Sequence, residues 1–140
     1  MRTLLISALL ALSSSLALAE RTPAPADAQA YIISPQDGAR VRNPVRVQFG
    51  LKGMGIAPAG VKFDNSGHHH LLIDTDAPTD LSAPLPATDK IVHFGKGQTE
   101  TTLPSLTPGR HTLQLLLGDA SHVPHDPPVL SKKITITVLN

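Results

Sequence analysis

The segment HTLQLLLGD, His111 to Asp119, decides the fold class most directly, because leucine occupies positions 113, 115 and 117 of it. A second segment, KITITVL at residues 133–139, repeats the alternation with β-branched residues. Successive side chains of a β-strand point to opposite faces, so each segment predicts a strand with one apolar face. The two faces that we expect to meet in the core are His111, Leu113, Leu115 and Leu117, and Ile134, Ile136 and Val138.

Short segments separated by Pro and Gly make up the chain from residue 30 onward. None shows helical spacing, and the 13 prolines of the chain disfavour long helices. We therefore predict an all-β immunoglobulin-like (fibronectin-type) β-sandwich of about seven strands over residues 30–140. The Pro-rich stretch at residues 76–90 is predicted to be a surface loop. The strand segments are AYIISP, VRVQFGLKG, HHHLLIDTD, IVHFG, QTETTL, HTLQLLLGD and KKITITVLN.

The first 19 residues are predicted to be a signal peptide. Arg2 supplies the positive region, an apolar run follows from Leu4, and ALA at residues 17–19 is a small-x-small cleavage signal. Cleavage near Ala19 predicts a periplasmic or secreted protein. Residues 20–29, rich in Pro and Ala without periodicity, predict a disordered tether. No second segment approaches the ~20 apolar residues of a membrane-spanning helix, so no membrane span is predicted.

The composition argues against several classes of function. The chain holds 12 Lys plus Arg against 11 Asp plus Glu. Because Arg2 lies in the predicted signal peptide, the mature charge is balanced and offers no electrostatic basis for nucleic-acid binding. No cysteine is present, which excludes disulfides, thiolate metal ligands and a cysteine nucleophile.

Histidine is the unusual residue of this chain, with seven copies against three Phe and one Tyr. In the run HHHLLID, strand alternation places His68 and His70 on one face and His69 on the other with Leu71 and Ile73. If the two aliphatic side chains point inward, the pair His68 and His70 is presented outward, ~7 Å apart at the Cα atoms. Imidazole is the commonest protein metal ligand, so this pair is a candidate for sharing one ion.

A second histidine cluster lies in SHVPHDPP, where three prolines stiffen the loop around His122 and His125. An immunoglobulin-type pairing makes the triple-histidine strand antiparallel to the strand that begins at His111. The start of the first strand then lies beside the end of the second, close to Asp119 and the second cluster. We therefore predict a metal site whose ligands come from His68, His69, His70, His93, His122 and His125.

Other readings of these residues remain open. His93 could join the cluster or pack under the Gly-Lys-Gly turn that follows it. His111 lies ~20 Å from the far end of its strand, so we expect it to cap the Pro-Gly corner by bonding backbone. Met54 is a possible copper(I) ligand or simply a packing residue. Without cysteine, nitrogen ligands favour copper or zinc.

Four motifs read together carry a resemblance to a known family: GHHHLLID, HFGKGQTE, PGRHTLQLLLGD and SHVPHDPPV. They are similar to the signature of an exported bacterial family, domain-of-unknown-function family 4399. The resemblance runs from about Val45 to the C-terminus, and all the histidine-bearing motifs are intact. It implies no established activity.

The sequence thus predicts a periplasmic metal-binding protein with a histidine-rich site for copper or zinc, which would buffer, deliver or sense the ion. An alternative is a non-catalytic cell-envelope interaction module, with a protein partner, in which the histidines are structural. A metal-dependent hydrolase is a weaker alternative. No nucleophile motif and no pair of carboxylates indicates catalysis, so an enzyme is not expected.

Overall fold

The computed structural model describes residues 20–140, so the predicted signal peptide at residues 1–19 lies outside the described part. Over residues 20–140 the elements are all strands, and no helix there is long and apolar enough to cross a membrane. The nine strands are β1 Gln29–Ser34, β2 Arg40–Val41, β3 Val45–Lys52, β4 Gly55–Ile56, β5 Ser66–Ile73, β6 Ile91–His93, β7 Glu100–Leu103, β8 Gly109–Gly118 and β9 Ile134–Val138.

Two sheets form a sandwich-like arrangement, which confirms the all-β sandwich predicted from the sequence. The smaller sheet has the order β1-β3-β7, and the larger has the order β2-β9-β8-β5-β4, with β6 also paired to β5. All seven predicted segments contain a strand. The additional strands, β2 and β4, have two residues each, too few for an alternating pattern to reveal. The immunoglobulin-like connectivity stays a prediction.

The core lies between the two sheets, where the predicted faces of β8 and β9 meet. Leu113, Leu115 and Ile136 are fully buried there, in one cluster with Phe49 of the opposite sheet. The pairing of β8 with β9 aligns His111 with Ile136, as expected for neighbouring strands whose apolar faces point the same way. The buried strand β8 is also the neighbour with which β5 pairs.

Strand β5 is buried on both faces along all eight of its residues. Leu71 and Ile73 point into the core, as predicted, so His68 and His70 lie on the outer face of the sheet. That face is covered rather than solvent-exposed, because Leu85 of the Pro-rich connection packs with Leu72 in a second apolar cluster. The predicted outward presentation of the histidine pair is therefore corrected: both side chains are 0% exposed.

The segment before β1, predicted to be a disordered tether, is hydrogen-bonded to the loop that follows β8. Pro23 pairs with Asp126 in a parallel bridge, and the amide of Ala24 donates to the carbonyl of Asp126 at 3.0 Å. Backbone hydrogen bonding of this kind compensates for the weak local propensity of a Pro- and Ala-rich stretch. The boundary between tether and domain at residue 30 remains a prediction from composition.

Candidate metal centre

The site is assembled by the antiparallel pairing of β5 with β8, which confirms the predicted juxtaposition. His68 is aligned with Gly118 and His70 with Leu116, while β6 aligns His93 with His70 from the other side. The chain leaves β8 at Gly118 and turns back over the outer face of β5. This turn carries His122 to the two imidazoles of the strand.

The imidazoles of His68, His70 and His122 converge on one small volume. His68 Nε2 lies 2.9 Å from His122 Nδ1, and His70 Nε2 lies 3.3 Å from the same atom. The three ligand atoms all lie within 4.8 Å of one another. Two nitrogens bound to one zinc ion are ~3.3 Å apart, as follows from tetrahedral geometry and Zn–N bonds of ~2.0–2.1 Å. The group could therefore hold a metal ion with small side-chain adjustments.

The backbone at His122 is in the left-handed region, with φ of 66°. Histidine is one of the residue types that enter this region more often than most. The Asp119 carboxylate holds the turn, because its Oδ1 accepts from the amides of Ser121 at 2.9 Å and Val123 at 3.0 Å. The carbonyl of His122 accepts from the amide of Leu85 at 2.9 Å. The ligand-bearing turn is thus held from two sides.

His93 is a neighbour of the three converging imidazoles but is not one of them. Its ring centroid lies 4.3 Å from that of His70 and 4.7 Å from that of His122. Its Nε2 lies 3.1 Å from the carbonyl oxygen of Pro86, which can only accept, so Nε2 is the donor in this contact. A carbonyl that orients an imidazole in this way is the support that metal-ligating histidines usually have.

Burial keeps the imidazoles of the site neutral. It lowers the pKa of His68 to about 4 and that of His70 to about 2, and the neighbouring imidazoles reinforce both effects. The pKa of His122 is also lowered, first by burial and then by His93. A neutral imidazole offers a lone pair to a cation, and these lowered pKa values keep the lone pairs available at neutral pH.

The donor set is made of nitrogen alone. No carboxylate or thiolate joins the three imidazoles anywhere in residues 20–140. Imidazole sites suit zinc and copper, whereas magnesium and calcium require oxygen ligands. Nδ1 of His68 and Nδ1 of His70 have no hydrogen-bond partner among the described residues, so these two ligands lack the support that His93 has.

Two of the predicted ligands, His69 and His125, lie elsewhere. His69 points into the core, where its ring centroid is 5.2 Å from that of Phe49. His125 Nε2 lies 3.1 Å from the carbonyl oxygen of Ser66, to which it donates. A Cβ built on Gly67 would stand 2.9 Å from His125 Cε1, so this ring lies on the same inner face of β5 as His69. Neither belongs to the converging group. His69 lies on the inner face of β5, and the turn at His122 places His122 and His125 on opposite faces of that strand.

His111 and Met54 both lie outside the group of three converging imidazoles. His111 donates from Nε2 to the carbonyl of Thr107 at 2.7 Å, which confirms its predicted structural role, and its Nδ1 lies 2.7 Å from Asp74 Oδ2. Burial opposes the charged form of His111, but the bonds to Asp74 and Thr107 outweigh it and raise its pKa. Met54 packs against the core.

The sequence did not predict that Leu85 and Pro86 of the Pro-rich connection lie over the outer face of β5. Leu85 is 4% exposed within an otherwise open connection, and Pro86 next to it orients His93. The available signal was the pair of leucines, Leu81 and Leu85, because residues 76–89 otherwise consist of Pro, Ala, Ser, Thr and Asp. An apolar side chain in a polar loop indicates an anchor to the core.

Gly118→Ala should disturb the site through the ring of His70. An added Cβ would stand 2.5 Å from His70 Cε1 and 3.3 Å from the carbonyl carbon of His122, so the ring or the turn must move. We expect metal affinity to fall by about 10-fold or more, with a cost of about 1–3 kcal/mol in stability. Gly55→Ala, where a Cβ meets nothing within 4 Å, is the matched control in titration calorimetry. Unchanged affinity in the Gly118 variant would contradict the described geometry.

Comparison with known proteins supports the resemblance carried by the histidine motifs. Searches of curated proteins and of solved structures gave no match. The family model described as Domain of unknown function (DUF4399) matches residues 47–139. This range contains all three converging histidines and the strands that position them. The chain therefore belongs to the DUF4399 family.

Proposed function

We propose that this protein binds one transition-metal ion, copper or zinc, through His68, His70 and His122 in the periplasm. The observation that carries the proposal is the approach of two strand nitrogens to His122 Nδ1, at 2.9 and 3.3 Å. His93, oriented by Pro86, is the candidate for a fourth nitrogen. The role we propose is buffering, delivery or sensing of the ion.

Several features favour a binding role over catalysis. The donors are neutral imidazoles, and burial keeps their pKa values low, so an ion can be bound at neutral pH without a large proton release. His122 and His93 are only partly buried, so an ion has a short route to the site from the loop side. A site reached on one side suits acquisition and release of an ion.

Metal titration of the purified, chelator-stripped protein tests the proposal. We expect one ion per chain for zinc or copper, with a dissociation constant tighter than about 1 µM. Magnesium and calcium, which prefer oxygen ligands, should not bind and serve as controls. Absence of any binding tighter than micromolar for copper(I), copper(II) and zinc would remove the proposal.

A second candidate is a cell-envelope interaction module in which the histidines are structural. The favouring observation is that His68 and His122 are already at hydrogen-bond distance, 2.9 Å, with edge-to-face ring packing. The two candidates differ in the response of the melting temperature to metal. An ion that binds only the folded chain adds about 2.7 kcal/mol of stability at 100 times its dissociation constant. A purely structural network predicts no change.

A further inference from the structure

Residues 21–24, here named the N-terminal strap, lie along the loop that carries His122. The amide of Asp126 donates to the carbonyl of Thr22 at 2.9 Å, and the amide of Ala24 donates back to the carbonyl of Asp126 at 3.0 Å. This is a short parallel bridge between Pro23 and Asp126. The strap therefore joins residues 119–126, here named the ligand loop, through backbone hydrogen bonds.

Side chains of the strap extend this attachment. Thr22 Oγ1 donates to Asp119 Oδ2 at 2.6 Å, and Arg21 Nε donates to the carbonyl of Pro124 at 3.1 Å. Arg21 also donates to the carbonyl of His125, and its guanidinium is 3.8 Å from the carboxylate of Asp126. Strap contacts thus reach both ends of the ligand loop.

The Thr22 contact acts on the residue that shapes the turn. The two carboxylate oxygens of Asp119 have different donors. Oδ2 accepts from Thr22 of the strap, and Oδ1 accepts from the amides on either side of His122. A hydrogen bond to an ionised carboxylate is stronger than a neutral one, and it restricts the rotation of the carboxyl group. The strap therefore orients the acceptor that keeps His122 at its positive φ of 66°.

From these contacts we infer that Arg21 and Thr22 are positioning residues of the metal site, which hold the ligand loop so that His122 Nδ1 faces the two strand imidazoles. The inference rests on the proposed function and adds to it a residue pair outside the family-matched range of 47–139. A ligand held in place before the ion arrives loses less conformational freedom on binding. The N-terminal strap is thereby part of the site.

The test uses the full chain, expressed so that it is exported and with its mature N-terminus determined by mass spectrometry. Thr22→Val removes the hydroxyl donor at nearly constant volume, and Thr22→Ser restores it. Thr102→Val, at an exposed threonine on β7 of the other sheet, is the matched control. Three readouts are compared in all variants: amide hydrogen exchange at Ser121 and Val123 without metal, zinc affinity, and the absorption spectrum of bound cobalt(II).

In Thr22→Val we expect faster exchange at both amides and about 10-fold weaker zinc binding, the effect of losing one charge-assisted hydrogen bond. The cobalt(II) spectrum should shift, and Thr22→Ser and Thr102→Val should behave as wild type. Unchanged exchange in Thr22→Val would overturn the inference, as would faster exchange with unchanged affinity and spectrum. If the wild-type chain binds no metal, the proposed function fails separately, and with it the positioning role.

Discussion

Replacing His122 with alanine should weaken zinc or copper binding by at least about 100-fold, because a three-nitrogen site becomes a two-nitrogen site. His122 is the only one of the three converging histidines that is not fully buried, so its replacement disturbs the fold least. Within residues 20–140, its ring forms hydrogen bonds only with the other two imidazoles. Alanine enters the left-handed region at this position less readily than histidine, so we expect the metal-free variant to lose about 1–2 kcal/mol of stability. The metal-induced rise in its melting temperature should be lost.

His111→Gln is the control for this prediction, because it removes a histidine that lies outside the site. It breaks the bonds to Asp74 and Thr107 and should cost about 1–2 kcal/mol of stability. Its metal affinity, measured by titration calorimetry, should equal that of wild type. Equal losses in the two variants would indicate that metal binding follows total histidine content rather than the described site.

Acid should unfold the metal-free protein between the ordinary histidine pKa of about 6.5 and pH 4. Burial lowers the pKa of His68 and His69 to about 4 and that of His70 to about 2. Below pH 6.5 the unfolded chain therefore takes up protons that the folded chain does not. The free energy of unfolding then falls with decreasing pH, by about 1.4 kcal/mol per histidine and pH unit. One such histidine contributes on the order of 3 kcal/mol over this window.

Other titratable groups change the free energy of unfolding in the opposite direction or in a different pH range, so their contributions can be distinguished from that of the buried histidines. The pKa of His111 is raised, so its contribution is present in acid and is lost as pH rises through its pKa. Asp74 and Asp119 have lowered pKa values, so their stabilisation is lost only at lower pH, where carboxylates protonate. Only the buried histidines predict a decline that begins just below pH 6.5.

His69→Leu tests the assignment of the acid sensitivity to buried imidazoles. His69 lies in apolar surroundings beside Phe49, and its Nδ1 has no partner among residues 20–140, so an aliphatic side chain should be tolerated. Urea unfolding at several pH values should give a shallower pH dependence for this variant than for wild type. A wild-type curve that is flat from neutral pH to pH 5, or an equally steep variant, would refute the role of these groups.

The fold was largely predictable because its strands alternate. The pattern of Leu113, Leu115 and Leu117 identified the buried face of β8, and the aliphatic pair after the triple histidine identified that of β5. Antiparallel pairing predicts that the start of β5 lies beside the end of β8, and the alignment of His68 with Gly118 confirms it. Strands are predictable here because each residue's direction follows from that of its neighbour.

The loops were less predictable, because their contacts depend on tertiary structure rather than on local pattern. The positive φ at His122 separates it from His125, and no spacing rule indicates that turn. The outer face of β5 is covered in part by Leu85, which packs on Leu72 from more than ten residues beyond the strand. The strap lies in the Pro- and Ala-rich stretch at residues 20–29, a composition typical of disorder, and its hydrogen bonds to the ligand loop depend on residues about 100 positions away in the sequence.

Anomalous X-ray diffraction from crystals of the zinc- or copper-loaded protein would show directly whether one ion lies between the imidazoles of His68, His70 and His122. We expect one anomalous peak per chain, ~2.0–2.1 Å from Nε2 of His68, Nε2 of His70 and Nδ1 of His122. A peak at any other position, or no peak in crystals grown with excess metal, would contradict the proposed site.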